Sequence, residues 1–349
     1  MDFEIYLMEQ LQKHPSMQPQ DIIKMCYQAS HGAEHLLSDL DRAWNYLKKE
    51  YDEVTAADIA LYEQISDKVS RINLAAWKWK GLPIEWLFRM FVASCRVEEN
   101  ANDQLIKYLK RAEEIINSGE AGFSMQEWDQ YLNEYKKIGM PAVHHSAAYR
   151  EYEHPAYRIV DSRFCRILSI LENAKTYLQE NKPCIIAIDG RAASGKTTIA
   201  KHLQIVLDAD VIHMDDFFVP LELRSEERFK NPGENIHHER FVEEVLPFIA
   251  EQKEFAYRIF DCSKMSYNGT REIGNKTFRI VEGSYSCHPV FGEYADITVF
   301  SDVSVNEQIE RIRKRNGEEM LKMFQTRWIP MEEEYFSHYM VGEKAIIRV

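Results

Sequence analysis

Glycine and proline are scarce in this chain, 14 and 11 in 349 residues. With 45% hydrophobic and 28% charged residues, that composition excludes a low-complexity chain and fits a globular protein. No apolar run approaches the roughly 20 residues that span a bilayer, so no membrane segment is expected. The first residues, MDFEIYLMEQ, carry acids where a signal peptide would carry bases. The six cysteines, Cys26, Cys95, Cys165, Cys184, Cys262 and Cys287, are scattered without a CxxC pair. Such spacing fits reduced thiols better than disulfides or a zinc knuckle. An excess of positive charge is also missing: the net charge of −13 argues against a general nucleic-acid surface, though not against a local basic groove. These absences leave a cytoplasmic protein whose partner is a small molecule, and a prior of about 150 residues per domain suggests two domains.

Strand-like alternation is scarce before residue 140, where apolar residues recur at spacings of three and four. In NDQLIKYLKRAEEIIN, Leu105, Ile106, Leu109, Ile115 and Ile116 make one stripe. PIEWLFRMFVASC opens with Pro83 at a suitable first helical position. Residues 1–160 therefore read as an all-α domain, closed by an ordered connector, MPAVHHSAAYREYEHPAYRIV. Residues 161–349 begin with a helix and then alternate strands with helices, the pattern of an α/β doubly wound parallel sheet. The candidate strands are CIIAID, DVIHMD, AYRIFD, FRIVEG and DITVFS.

Gly190, Gly195, Lys196 and Thr197 satisfy G-x-x-x-x-G-K-[ST] between the apolar strand CIIAID and the helix KTTIAKHLQIVL. Glycines let the backbone close round a phosphate, so that N–H groups and the helix N-terminus face the anion. Gly190, Arg191, Ala192, Ala193, Ser194, Gly195, Lys196, Thr197 and Thr198 are thus the expected nucleotide-binding residues. Lys196 reaches the β- and γ-phosphates, and the Thr197 hydroxyl is placed to ligand Mg²⁺.

The rest of the sequence bears on whether that phosphate is hydrolysed or transferred. A GTPase carries Asn-Lys-x-Asp late in its fold; the near match Asn275-Lys276-Thr277-Phe278 lacks the acid. The strand VIHMDDFF ends in Asp215 and Asp216, and FRIVEG ends in Glu282. Carboxyl ends of parallel strands share the edge where ligands bind, so these acids should converge on the loop. There Asp215 can accept the proton of an attacking hydroxyl, and Glu282 and Asp215 can support a Mg²⁺ ion. The bland alternative makes Asp215 and Asp216 helix caps. Arg311, Arg313, Lys314 and Arg315 cluster at the end of a helix, with Arg327 beyond. On a closing lid, Arg311, Arg315 and Arg327 would stabilise the moving phosphoryl group; otherwise they form a solvated basic helix end.

GRAASGKTT, MDDFF, VEGSYS and the arginine cluster, in this order, resemble the uridine kinase and phosphoribulokinase group of P-loop kinases over roughly the second half of the chain. The resemblance implies a five-stranded parallel sheet, a mobile lid, and ATP with Mg²⁺. It also implies that the acid at Asp215 acts on the acceptor hydroxyl and that Glu282-Gly283 assists the metal. AYRIFDCSKMSY sits where that family places acceptor contacts, so Asp215, Asp216, Tyr257, Arg258 and Asp261 are candidate substrate residues. Ordinary strand and turn roles for Tyr257, Arg258 and Asp261 are the alternative. The pattern round the lid arginines matches loosely, His237 and His238 map to no role, and the acceptor stays open. A nucleotide-dependent regulatory module, or a kinase with a macromolecular acceptor, is the rival reading. A homo-oligomer is equally compatible.

In the helical half, His31-Gly32-Ala33-Glu34-His35 reads H-x-x-E-H, which on a helix puts His31, Glu34 and His35 on one face. No third metal-ligand motif follows it, so polar packing or an anion, metal or substrate site compete with the zinc-peptidase reading. Trp77 and Trp79 alternate with lysines in LAAWKWKGLP. That pattern suits stacking on a nucleic-acid strand, or tryptophans packing helices while lysine stems reach outward.

Overall fold

A computed structural model of the protein describes residues 3–33, 39–95, 99–251 and 253–349. Two units separate along the chain, Met1–Cys165 and Arg166–Val349.

The first unit contains helices α1 (Phe3–Lys13), α2 (Pro19–His31), α3 (Leu40–Glu53), α4 (Leu74–Trp79), α5 (Ile84–Ser94), α6 (Ala101–Asn117), α7 (Met125–Lys137) and α8 (Ala147–Glu153). Local chemistry sets their ends. Ser124 starts α7 through a reciprocal pair of bonds with Glu127, and Lys78 donates to the carbonyls of Tyr51, Asp52 and Val54 at the end of α3. On α6 the buried stripe is Leu105, Leu109, Ala112 and Ile116. Ile106, expected on it, faces solvent. The helical reading of this half needs one addition, an antiparallel sheet in the order β1 (Tyr62–Gln64), β2 (Val69–Asn73), β3 (Tyr157–Asp161). The middle strand is buried on both faces, so its residues do not alternate and leave no period-two signal.

The connector carries β3 and α8 and ends in a buried polar seam. His145 pairs with Asp21 through Nδ1 and with the Tyr157 hydroxyl through Nε2, at 3.0 and 2.6 Å. Gln28 links that hydroxyl to Arg71, whose guanidinium lies over the Tyr157 ring. Trp77 is buried and donates to the Pro83 carbonyl, whereas Trp79 is exposed.

The second unit continues with α9 (Leu168–Gln179), β4 (Cys184–Gly190), α10 (Lys196–Leu207), β5 (Asp210–His213), α11 (Glu226–Phe229), α12 (His238–Glu244), α13 (Leu246–Ile249), β6 (Phe255–Asp261), β7 (Ser266–Ile273), β8 (Phe278–Glu282), β9 (Ile297–Ser301), α14 (Val305–Met323), α15 (Ile329–Tyr339), α16 (Val341–Lys344) and β10 (Ile347–Arg348). Its main sheet is parallel, in the order β10-β9-β4-β8-β5, with the fully buried β4 at its centre. AYRIFD, expected among the strands, belongs instead to a separate antiparallel hairpin of β6 and β7, and the fifth parallel strand is the short β10. Between α14 and α15, residues Phe324–Trp328 form a turn of π-helix, and α14 itself kinks at Gly317, where φ is +81°. Among the described residues no helix is long and apolar enough to cross a membrane.

Candidate active site

Strand β4 delivers the chain to the loop at Gly190, which pairs with Ser301 on β9. At Gly190 φ is +135°, and a Cβ there would lie 2.0 Å from the Ser301 carbonyl oxygen, so only glycine fits. Gly195, φ +102°, ends the loop and opens α10.

Side chains hold the loop carbonyls. Lys196 donates from Nζ to the Gly190 and Arg191 carbonyls, at 2.7 and 3.0 Å. Gln308 donates to Ala192 at 3.0 Å, Arg311 to Ala193 at 3.0 Å, and Arg166 to Ser194 at 3.1 Å. Each peptide unit is planar and trans, so the Ala192 and Ser194 carbonyls, held by Gln308 and Arg166, send the Ala193 and Gly195 N–H groups the opposite way, the polarity an anion needs. The N–H groups of Arg191, Ala192 and Ser194 donate instead to the Ser301 carbonyl, Glu332 and the Arg191 carbonyl. The third proton of Lys196 goes to Ser284 Oγ at 3.2 Å.

Glu282, at the end of β8, is buried and accepts from the Thr197 hydroxyl at 3.1 Å and pairs with His213 Nδ1 at 2.6 Å. Parallel pairing of β4, β8 and β5 sets Ile188, Glu282 and His213 in register, which brings Thr197, Glu282 and Asp215 to one edge. Asp215 keeps accessible surface yet sits deep among protein atoms. Lost hydration, then the nearby Glu282 carboxylate, raise its pKa above the usual carboxylate range, while Lys196 and His213 pull it down. Asp216 differs: it is buried and accepts from the Tyr257 hydroxyl at 2.9 Å and from Arg271 Nε at 3.0 Å. Its carboxylate is committed to the β6–β7 hairpin.

The remaining expected residues divide. Tyr257 is 1% exposed and also accepts from the His213 N–H, so it stands behind the edge and not on it. Arg258 pairs with Glu244, and Asp261 caps the hairpin turn by accepting from Ser263. Arg191 is held by Glu333 and Asp302. Arg311, expected on a lid, lies instead against the loop carbonyl. Arg315 is exposed and donates to Asn316, and Arg327 lies over the Phe229 ring. Thr198 is exposed on α10.

Several contributors escaped the sequence reading. Asp189, fully buried, accepts from the N–H groups of Gly190, Tyr285 and Cys287 and from the Tyr335 hydroxyl. Glu332 on α15 accepts from Ala192 N at 2.9 Å and Ser284 Oγ at 2.7 Å. Burial raises the pKa of both carboxyls. Asp189 and His213 flank motifs already in view. Nothing local marks Arg166, Gln308 or Glu332.

In the helical unit, His31 engages Ser30 through Nδ1 and Asn102 through Nε2 and stacks on Tyr27. Glu34 and His35 lie outside the described residues. Among the described residues no group of three or more His, Cys, Asp or Glu side chains gathers as a metal cage. A Mg²⁺ ion carried on phosphates needs only one or two protein oxygens, and Thr197 with Glu282 fits that need.

No family model matches the chain. In sequence it is similar to a uridine kinase of Ligilactobacillus salivarius (strain UCC118), 26% identical over 158 residues, 42% of this chain and 73% of that protein. That similarity supports a uridine kinase-like P-loop kinase region over about half the chain. Cytidylate kinase 1 of Borreliella burgdorferi is 28% identical over 165 residues, 40% of this chain and 74% of that protein. Among solved structures, a possible uridine kinase from Bacillus stearothermophilus aligns with a TM-score of 0.38 at 17% identity, over 52% of this chain and 99% of that one.

Proposed function

We propose that the C-terminal unit is a kinase that moves the γ-phosphate of ATP to a hydroxyl of a small metabolite, a nucleoside or a similar acceptor, with Mg²⁺. The observation that carries this reading is the grouping of Lys196, Thr197, Glu282, His213 and Asp215 at the edge where β4, β8 and β5 end. The loop N–H groups and Lys196 would hold the phosphates, and Thr197 and Glu282 would ligand the Mg²⁺, which neutralises charge on the transferring group. His213 orients Glu282. Asp215 is the carboxylate with room to meet a hydroxyl, because Asp216 is already bound by Tyr257 and Arg271. It would accept the acceptor's proton as its oxygen attacks phosphorus. Arg327, which lies over the Phe229 ring, would be a further positive charge for the moving phosphoryl group.

Two variants test the assignment. Lys196→Ala should abolish turnover and weaken Mg-ATP binding. Asp215→Asn should lower kcat by about 100-fold or more while Mg-ATP affinity is kept. Turnover is read as ADP release over a panel of nucleosides, sugars and amino acids, with mass spectrometry of the acceptor. An Asp215→Asn enzyme of normal kcat would sink the role of Asp215. No acceptor-dependent ADP release in the wild type would sink the small-molecule kinase reading.

A further inference from the structure

Arg166 lies upstream of the stretch that carries the kinase motifs, yet it reaches the loop. Its Nη1 donates to the Ser194 carbonyl at 3.1 Å and its Nη2 to Ser301 Oγ at 3.4 Å. Among the described residues no carboxylate pairs with it. The acid it senses, Glu307, is already bound by Arg311 at 2.5 Å. Half-buried, with Arg311 as a like-charged neighbour, the guanidinium bears a desolvation and repulsion cost that lowers its pKa. A cation kept under those conditions without a protein anion is a place where an anion from outside would restore balance.

The geometry says which atom would profit. The Ser194 carbonyl and the Gly195 N–H belong to one planar peptide unit and point in opposite directions. With the carbonyl drawn to Arg166, the Gly195 N–H faces the loop interior, and it donates to no protein acceptor among the described residues. A Cβ on Gly195 would come within 2.8 Å of Arg166 Nη1, so glycine here also makes room for the guanidinium.

We propose that Arg166 is a positioning residue for the nucleotide phosphates, turning the Ser194–Gly195 peptide toward them and placing a positive charge behind it. The proposal rests on the kinase reading above, and one experiment separates the two. Full-length wild type, Arg166→Gln and Arg166→Lys are titrated with Mg-ATP, Mg-ADP and adenosine, and each is melted. Arg166→Gln should bind Mg-ATP and Mg-ADP about tenfold more weakly, the range for losing a hydrogen bond to a charged group. Adenosine affinity and melting temperature should be unchanged, and Arg166→Lys should recover part of the loss. Unchanged Mg-ATP affinity in Arg166→Gln overturns the proposal alone. An equal loss for adenosine, with a lowered melting temperature, overturns it in favour of a structural role. Failure of the wild type to bind Mg-ATP overturns the kinase reading itself, and this one with it.

Discussion

Gly190 shows how little freedom single residues have at this site. Its φ of +135° is costly for any side chain, and the Ser301 carbonyl occupies the space a Cβ would need. Gly190→Ala must therefore move β9 or distort the loop. The expected cost is about 3 kcal/mol of stability, read from denaturant melts, together with loss of Mg-ATP binding. A variant of normal stability would show that the strand pair relaxes easily. The same close approach explains why the phosphate motif was legible: its glycines answer a backbone requirement that sequence spacing records directly. Asp215 and Glu282 were legible for a related reason, since each ends an apolar strand. The Arg311 bond to the Ala193 carbonyl was not legible, because a basic helix end looks alike whether it swings over a substrate or grips a carbonyl.

Among the elements, the β6–β7 hairpin is the one whose role the sequence concealed. AYRIFD has the composition of a sheet strand, but strand partners are set by distant pairing that composition does not encode. In the fold its Tyr257 and Arg271 hold Asp216 from behind, and Tyr257 also accepts the His213 N–H. The hairpin thus braces the segment that carries Asp215. Tyr257→Phe removes one hydroxyl and both of its bonds, at a cost of about 1–2 kcal/mol. With the brace loosened, kcat should fall while KM for ATP stays near its original value. A change in KM for ATP with kcat intact would mean that the hairpin supports the nucleotide side instead. The three-stranded sheet of the helical unit was hidden similarly, because a strand covered on both faces shows no alternation.

For the whole molecule, pH is the variable that reaches both units. Burial lowers the pKa of His145, His238 and His288 to about 4 each, against about 6.5 for a free imidazole. His238 and His288 lie ring to ring at 4.4 Å, near Glu234, while Arg228 and His237 also face His238. Above pH 6.5 both folded and unfolded chains hold these rings neutral, and stability is complete. As pH falls toward 4, the unfolded chain takes up protons that the folded chain refuses, so stability is lost, by about 3 kcal/mol per histidine. The raised carboxyls of Asp189 and Glu332 act in the opposite sense, so the comparison to make is between wild type and variant. His288→Gln should flatten the plot of unfolding free energy against pH between 6.5 and 4. An unaltered slope would mean that His288 is charged in the fold.

The hold that side chains keep on the glycine-rich loop also sets an order of events during synthesis. Residues 190–195 are made near the middle of this sequence, and the side chains that shape them come from Arg166, Gln308, Arg311 and Glu332. Three of those four follow the loop by more than a hundred residues, and α15 lies almost at the end of the chain. Contacts so far apart in sequence close late. The nascent chain therefore carries its glycine-rich loop well before the side chains that fix its shape, and the loop takes its form only once α14 and α15 have been made.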